Sequence, residues 1–437
     1  MPKAFRTLVV VLAACLLSVT TAIVPGPAHA APSLPDDFLW GVAASGFQTE
    51  GTSPDSNWRR YAKQAAAPGS PFRDGIGTSV DFRHRYRQDI GLARSMGMKV
   101  YRVSIEWARL EPRPGRDDAR EWAYYEDMVQ AIVDAGMRPM LTLDHWVYPG
   151  WIADRGGWAD ARTPEAWLRH QRRVVDRFAR HHPLWITVNE PTAYLMKEVQ
   201  HGGLPPQLAP VMLDRLVGVH RTIYDHIHRR DPGAMVSSNA AYIPTVQPAL
   251  DQTFLDRVRD KLDFVGFDYY YSVSPTELGA AQILADRSWE APVSADGLYY
   301  AYRDYAQRFP GKPLYVIETG MPTRDGAPRP DGYRRADHLR DLVYWTQRAR
   351  ADGIDVMGLN YWSLTDNYEW GSYTPRFGLY TVNVLTDPSL RRIPTAAVAA
   401  YRRIAADNGV GPHYRPSRPA TRCSLVAAPS SCTRPVR

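Results

Sequence analysis

Cysteine is scarce in this chain, and no apolar run beyond the N-terminal region is long enough to span a bilayer. Three cysteines in 437 residues exclude a fold that depends on a dense disulfide framework. The sequence also lacks an internal repeat, a low-complexity block and a Pro- or Gly-rich linker in its middle part. These absences favour one globular unit, and α/β barrels commonly reach this length.

A concentrated stripe of basic residues is also missing. The formal net charge is +7, but the arginines are scattered along the chain apart from a cluster near its end. A nucleic-acid-binding protein would need such a stripe together with a recognisable binding module. We therefore expect no nucleic-acid partner.

The first residues have the composition of a secretion signal. Lys3 and Arg6 form a basic start, Leu8–Leu17 is apolar, and Ala28–Ala30 has the small-x-small pattern of a cleavage site. We therefore predict that residues 1–30 are a signal peptide and that the protein is secreted.

A lipid anchor is the alternative for this end of the chain. Leu12–Cys15 resembles a bacterial lipoprotein box, in which Cys15 would carry the lipid. The apolar run continues to Val24 before it reaches the cleavage pattern, and this continuation favours soluble secretion over anchoring.

The last residues differ in composition from the rest of the chain. After Ala406 the pattern becomes aperiodic and rich in Pro and Arg, so we predict a basic C-terminal tail over residues 407–437. Cys423 and Cys432 lie in this tail, and an even number of cysteines in an exported chain suggests one disulfide between them. No His follows at ligand spacing, so we expect no metal site there.

Short β-prone runs alternate with longer stretches of helical period through the remaining residues, 31–406. Eight such alternations favour a closed parallel barrel over an open sheet. We therefore predict a single (β/α)₈ TIM barrel with a short C-terminal appendage. The β-prone runs are Phe38–Ala43, Val100–Ile105, Pro139–Leu143, Leu184–Val188, Met235–Ser238, Phe264–Tyr269, Leu314–Ile317 and Met357–Trp362.

Polar and aromatic residues stand where most of these runs stop. A lone acid at a strand end is typically a helix cap or a salt-bridge partner. In a barrel, however, the C-terminal ends of all strands converge on one rim, so these residues are expected to form one site. They are Gln48, Glu50, Arg102, Glu106, His145, Trp146, Asn189, Glu190, Asp268, Tyr269, Tyr270, Glu318, Trp362, Glu369 and Trp370.

Two carboxyl groups beside a cleft rich in Trp and hydrogen-bonding groups indicate cleavage of a glycosidic bond. Glu318 would attack the sugar, with its negative charge stabilised by Arg102 and by the Tyr270 hydroxyl. That negative charge should raise the pKa of Glu190, which would then protonate the leaving oxygen. Once Glu318 is esterified, Glu190 would become acidic enough to act as a base on water.

The motifs that carry these residues resemble those of glycoside hydrolase family 1, the β-glucosidase and β-galactosidase family. They occur in the family's order and cover nearly the whole chain between the predicted signal and tail. The matching segments are Phe38–Gly41, Gln48–Gly51, Tyr101–Trp107, Thr142–Trp146, Trp185–Pro191, Asp263–Tyr270, Val316–Gly320, Trp362–Trp370 and Arg376–Leu379.

The resemblance implies a retaining exo-β-glycosidase that acts on β-O-glucosides or related β-glycosides without a metal or cofactor. Glu190 would be the acid/base, Glu318 the nucleophile, and Asn189 the partner of the sugar 2-hydroxyl. Core packing is the alternative role for His145 and Trp362. The other sugar contacts implied by the family are Gln48, His145, Trp146, Trp362, Glu369 and Trp370.

The chain departs from the family pattern at several positions. Asp268 stands where Asn is usual, Asp144 replaces an aromatic residue, and Glu106 replaces Ser or an aliphatic residue. Like charges at short range oppose ionisation, so these acids would shift the pH optimum. Thr319 and the Val147-Tyr148 pair are further departures, and the latter lies on the side of the leaving group.

Two other functions are consistent with parts of this pattern. A transglycosidase would form the same glycosyl-enzyme and transfer the sugar to an acceptor other than water. A non-catalytic sugar-binding protein on the same barrel would usually have lost a catalytic carboxyl, whereas Glu190 and Glu318 are both present. A small glycoside or oligosaccharide is therefore the expected partner.

Overall fold

The computed structural model describes residues 33–64, 74–243, 246–271, 287–418 and 420. Eight parallel strands close into a barrel in which each strand pairs with the next along the chain and the last returns to the first. The predicted (β/α)₈ barrel is therefore confirmed. The strands are β1 (Leu39–Ala43), β2 (Val100–Ser104), β3 (Arg138–Asp144), β4 (Leu184–Asn189), β5 (Met235–Ala241), β6 (Val265–Tyr269), β7 (Leu314–Thr319) and β8 (Val356–Trp362).

Helices on the outside of the barrel connect successive strands, and one helix follows β8. They are α1 (Phe82–Ser95), α2 (Ala119–Asp134), α3 (Thr163–Phe178), α4 (Ala209–Arg230), α5 (Gln247–Thr253), α6 (Gly297–Arg308), α7 (Arg335–Ala351) and α8 (Ala396–Asp407). Between β5 and β6 the short α5 is followed by a 3₁₀ helix, Leu255–Lys261.

Shorter elements lie in the loops. The short helices are Gly46–Thr49, Asn57–Gln64, Trp107–Leu110, Gly150–Ala153 and Pro191–Gln200, and the other 3₁₀ turns are Gly157–Ala159, Ala179–His181, Pro206–Leu208 and Ser288–Glu290. Two antiparallel pairs join Thr323–Arg324 with Pro375–Arg376 and Tyr380–Thr381 with Ile393–Pro394. None of the helices among the described residues is both long and apolar enough to cross a membrane.

Helix α2 shows how the sequence sets these outer elements. The Asp118 side chain accepts hydrogen bonds from the backbone N–H groups of Arg120 and Glu121, which caps the first turn. Trp122 and Val129, which recur at helical spacing, are buried against the barrel. The helix is therefore fixed at its start by a cap and along its length by an apolar face.

The lower part of the barrel is occupied by apolar side chains. Its apolar cluster consists of Val100, Met140, Leu184, Ile186, Phe264, Tyr315 and Ile317. Above it, Asn360 accepts a hydrogen bond from the Tyr315 hydroxyl at 2.9 Å and donates to the backbone carbonyl of Ile317 at 3.2 Å. Polar chemistry is therefore restricted to the end of the barrel at which the strands terminate.

The start of the barrel and the start of the predicted tail are bonded to each other. The Asn408 amide donates to the carbonyls of Leu34 and Pro35 at 2.9 Å, and its oxygen accepts from the Trp40 indole at 3.0 Å. Farther on, the Tyr414 hydroxyl donates to Asp341 of α7 at 2.6 Å.

The remaining terminal features lie outside the described residues. These are the predicted signal peptide over residues 1–30, the candidate lipid site Cys15, and the predicted Cys423–Cys432 disulfide.

Candidate active site

Glu318, near the end of β7, is held by a cation and a hydroxyl group. Its carboxylate forms an ion pair with Arg102 and accepts a hydrogen bond from the Tyr270 hydroxyl at 2.7 Å. Arg102 is fully buried, and its other N–H groups donate to Thr142 at 2.9 Å and to Asn189 at 2.5 Å. The negative charge of Glu318 is thus balanced within the barrel, and its side chain is fixed in position.

Glu190 follows β4 and has a left-handed backbone conformation, with φ of 39°. Pro191 begins the next helix directly after it, and proline suits the first helical position. The Glu190 carboxyl accepts a 3.4 Å hydrogen bond from Asn189, the residue that also bonds to Arg102. Burial, and then the neighbouring Glu318 carboxylate, raise the pKa of Glu190 to about 8. Glu190 therefore carries a proton at neutral pH.

Asn239 and Asp268 complete the polar group around this pair. The Asn239 amide donates to the Asn189 oxygen at 2.8 Å and also to Asp268. Burial, and then the Glu318 and Glu190 carboxyls, raise the pKa of Asp268 well above its usual range. Sequence analysis missed Asn239, although it directly follows the predicted end of the fifth run at Ser238. The strand-end rule that selects Asn189 after the fourth run would have found it there.

A second polar group lies beside the first, after β8. The Glu369 carboxyl accepts hydrogen bonds from the Trp362 indole at 3.0 Å and from Gln48 at 3.3 Å. Gln48 is in turn held by the Ser45 hydroxyl at 2.7 Å and donates to Asn367 at 3.2 Å. Burial raises the pKa of Glu369 to about 7. These groups can accept hydrogen bonds from the hydroxyls of a sugar and donate hydrogen bonds to them.

Aromatic rings form one wall of the site. The Trp370 ring stacks on Trp146 at 4.7 Å and on His145 at 5.9 Å, and His145 also stacks on Trp362 at 6.0 Å. Burial, and then the Arg102 charge, lower the pKa of His145 well below its usual range, so its imidazole is neutral. The Trp146 indole donates to the backbone carbonyl of Asn189 at 2.8 Å, which joins this wall to the end of β4.

The structure thus brings together the two predicted catalytic carboxyls, Arg102, Asn189, Tyr270 and the six predicted sugar contacts, whereas three other acids near the strand ends have different partners. Glu50 pairs with Arg109 at 2.5 Å, and Glu106 accepts a hydrogen bond from Ser104 at 2.8 Å. Asp144 accepts from the backbone N–H of Trp146 at 2.9 Å and from the Trp167 indole at 2.8 Å. Among the acids expected to perturb the catalytic pair, Asp268 is the one whose hydrogen bonds reach it.

Two carboxyl groups, one balanced by Arg102 and one carrying a proton, beside aromatic rings and hydroxyl-binding groups match the needs of glycosidic cleavage. The family model described as "Glycosyl hydrolase family 1" matches residues 30–230 and 220–410. The chain belongs to glycosyl hydrolase family 1. As a family 1 member it is an O-glycosyl hydrolase, and the resemblance predicted from the motifs is confirmed.

Several characterised proteins of similar length resemble this family 1 chain. Beta-glucosidase A from Thermotoga maritima is 24% identical over 452 residues, which cover 86% of this chain and 98% of that protein. Thermostable beta-glucosidase B from Thermobispora bispora is 27% identical, over 89% of this chain and 95% of that protein. A solved apo structure of a beta-glucosidase is 27% identical and has a TM-score of 0.71. The match covers 84% of this chain and 98% of that one.

Longer relatives also contain this family 1 unit. Human lactase/phlorizin hydrolase is 24% identical to 87% of this chain, and the chain spans only 24% of that protein's length.

Proposed function

We propose that this family 1 protein is a secreted, retaining exo-β-glycosidase that hydrolyses β-O-glucosides or related β-glycosides by double displacement. The observation that carries the proposal is the contrast between Glu318, an acceptor for Arg102 and Tyr270, and Glu190, whose pKa is raised to about 8. A double displacement needs such a difference between its two carboxyl groups.

In the first step, a Glu318 oxygen attacks the anomeric carbon as the bond from that carbon to the leaving oxygen breaks. The Glu190 proton goes to the leaving oxygen, so the aglycone departs as an alcohol. Positive charge that develops on the sugar lies beside Asn189, which can bond to the 2-hydroxyl because Arg102 and Asn239 fix its oxygen.

In the second step, water attacks the anomeric carbon and the ester bond to Glu318 breaks. Glu190, now ionised, takes a proton from the water. Both carboxyl groups return to their starting states, and two inversions at the same carbon give net retention. An alcohol in place of water would give transfer to that acceptor by the same step.

The shape of the site supports cleavage of a terminal sugar. Glu369, Gln48 and the rings of Trp362 and Trp370 form a continuous bonded and stacked group on one side of the carboxyl pair. Such a group would hold the hydroxyls and the face of one sugar ring. The names of the relatives, beta-glucosidases among them, support a glucoside or a closely related β-glycoside as the substrate.

The chemical proposal is tested with nitrophenyl β-glucoside and β-galactoside across a range of pH, with NMR of the first product to form. We expect the β-anomer of the released sugar. Glu318→Gln should abolish turnover, and Glu190→Gln should lower kcat/KM by about 10²- to 10⁴-fold for glycosides with poor leaving groups. Glu190→Ala with added azide should yield the β-glycosyl azide.

Glu106→Gln is the matched control, since Glu106 is equally buried but bonds to Ser104. It should retain turnover with retention of configuration. Release of the α-anomer first, or full activity in Glu318→Gln, would overturn the double displacement. Added methanol distinguishes hydrolysis from transfer by the yield of methyl glycoside.

Secretion rests on the sequence of residues 1–30. Expression of the full chain in a bacterial host with mass spectrometry of the culture medium tests it, and cleavage after Ala30 is the expected result. Retention of a lipid on Cys15 would contradict soluble secretion.

A further inference from the structure

Asp268 brings a third carboxyl group into contact with the proposed catalytic pair. Strands β6 and β7 change register between Phe267 and Asp268, and after this shift Asp268 pairs with Glu318. The Asp268 side chain is 1% exposed, so water cannot solvate a charge there.

The hydrogen bonds of Asp268 leave one of its oxygens without a donor. Oδ2 accepts a bond from the Asn239 amide, whereas Oδ1 receives none from the N–H and O–H groups of the described residues. The Glu190 carboxyl lies within hydrogen-bonding reach of the Asp268 carboxyl. Two ionised carboxylates are both acceptors, so this contact requires a proton on one of them.

The positive charge in the site is committed to another group. Arg102 pairs with Glu318 and uses its other donors for Thr142 and Asn189. Asp268 and Glu190 must therefore limit their combined charge by keeping a proton, as like carboxyl groups at short range do. The groups that face Asp268 are Arg102, Glu190, Asn239, Tyr270 and Glu318.

We propose that Asp268 is a positioning residue that shares one proton with Glu190 and thereby extends to higher pH the range in which Glu190 acts as an acid. This inference rests on the proposed function of Glu190. When the pair holds one proton and Glu190 gives it to the leaving oxygen, Glu318 becomes a neutral ester. The number of negative charges in the site is therefore the same before and after the first step.

The same arrangement favours the second step. With no proton left between them, the ionised carboxyl groups of Asp268 and Glu190 repel each other. Glu190 is then a stronger base toward the attacking water than it would be beside a neutral amide. The water proton restores the shared hydrogen bond.

The test is Asp268→Asn, which keeps the size of the side chain and an oxygen that can accept the Asn239 bond but replaces the titrating carboxyl with a neutral amide. The measurement is kcat/KM against pH for the phenyl β-glycoside of the preferred sugar, whose leaving group needs protonation. We expect the basic limb to move about one to two pH units lower, the effect of removing one close like charge. With the 2,4-dinitrophenyl glycoside, which needs no protonation, the limb assigned to Glu190 should be absent in both proteins.

Glu106→Gln again serves as the control and should leave the basic limb in place. Asp268→Ser, which also lacks the carboxyl, should repeat the shift and takes the place of Asp268→Asn if that variant does not fold. If the basic limb of the pH profile does not move in a folded variant, or if the rate falls equally at every pH, the role proposed for Asp268 is wrong. The proposed function of Glu190 is unaffected by either result. A wild-type enzyme whose two glycosides share the same basic limb would overturn the proposed function of Glu190 as well.

Discussion

Arg102 connects parts of the site that come from four strands. Its guanidinium bonds to Thr142 of β3, Asn189 of β4 and Glu318 of β7 from its own position on β2. A planar group with several fixed donors suits such a role, and a lysine could not reproduce this geometry. The proposed nucleophile, Glu318, and the strand that carries the proposed acid/base, Glu190, are thereby held by one guanidinium group, so a small displacement of either strand affects both.

Tyr270 offers a direct measure of how much Glu318, the proposed nucleophile, depends on its hydrogen bonds. Tyr270→Phe removes the 2.7 Å bond to Glu318 and keeps the ring. Since a bond to a charged group contributes about 1.5 to 3 kcal/mol, we expect kcat/KM to fall roughly ten- to a hundredfold. Steady-state kinetics with the nitrophenyl glycoside checks this.

Tyr269→Phe is the control for that experiment. Its hydroxyl donates at 2.5 Å to the carbonyl of Ser294, away from the catalytic pair. This variant should unfold more easily and keep its rate of glycosyl transfer. Equal kinetics in Tyr270→Phe and wild type would show that the hydroxyl does not support the nucleophile.

The sequence identified the residue types of the site better than it identified their partners. The alternation of β-prone runs with helical stretches places Glu106, Asp144 and Asp268 near strand ends. It does not decide which way each side chain points. Glu106 lies against Gly46, where an added Cβ would be 2.4 Å from the Cγ of Glu106. Asp144 accepts hydrogen bonds from Trp146 and Trp167. These choices depend on contacts between distant segments, which a local pattern does not contain.

At the level of elements, the ends of β7 and β8 approach each other more closely than side chains would allow. A Cβ on Gly320 would lie 2.1 Å from the backbone carbonyl oxygen of Trp362. Glycine is therefore required at this point because its neighbour is backbone and cannot rotate away. The approach places Glu318 and Trp362 at adjacent positions in the pocket.

Gly320→Ala should separate these two strand ends. We expect a loss of about 1 to 3 kcal/mol in the free energy of unfolding, the usual cost of overpacking, and a lower kcat because Glu318 moves with β7. Urea denaturation and kinetics on the same preparation measure both effects.

Gly91→Ala is the matched substitution in α1, where an added Cβ meets nothing within 4 Å. It should stabilise the protein by up to about 1 kcal/mol, because alanine favours the helix, and leave kcat unchanged. If Gly320→Ala behaves like Gly91→Ala, the close approach of β7 and β8 has no energetic importance.

The predicted runs and the observed strands differ mainly at their C-terminal ends. The fifth run was predicted to end at Ser238, whereas β5 continues to Ala241. Asn and Ala are weak strand formers, so composition alone does not extend the run. The ladder with β6 does, because Asn239 pairs with Gly266 and Ala241 with Asp268. The residue at which a strand ends in a barrel depends on its pairing with the neighbouring strand, and the functional residues lie at those ends.

At the level of the whole molecule, the protein buries several acids whose pKa values are raised to neutral pH or above it. Burial raises the pKa of Glu106 and Glu190 to about 8, and that of Asp144, Glu198 and Glu369 to about 7. In an unfolded chain such groups ionise near pH 4. Between these limits the folded protein holds protons that the unfolded chain has lost.

The free energy of unfolding should therefore fall as pH rises from about 5 to about 8, most steeply below about pH 7. Each such proton contributes a slope of about 1.4 kcal/mol per pH unit in this window. Buried histidines act in the opposite direction at lower pH. The pKa values of His201 and His220 are lowered to about 4 by burial, so these groups favour folding as pH rises toward 6.5. Because the five acids outnumber these two histidines, denaturant titrations from pH 5 to 9 should show a net fall in the free energy of unfolding that levels off above about pH 8.

Glu106→Gln tests the assignment to individual acids. It removes one titrating group and should reduce the downward slope between about pH 5 and pH 7 by about one proton. A free energy of unfolding that stays constant or increases from pH 6.5 to 8 would contradict the picture of buried, protonated acids.

Residues 408–418 run from the lower side of the barrel to the side on which the strands end. Asn408 is bonded to Leu34 and Pro35 below the barrel, whereas Arg418 lies over the Tyr333 ring, 4.8 Å from its centroid, in the connection that follows β7. A support or fusion partner joined at the N-terminal side would leave the substrate entrance pointing outward. The same partner joined after residue 420 would begin on the entrance side, so immobilised forms of the two kinds should differ in their access to bulky glycosides.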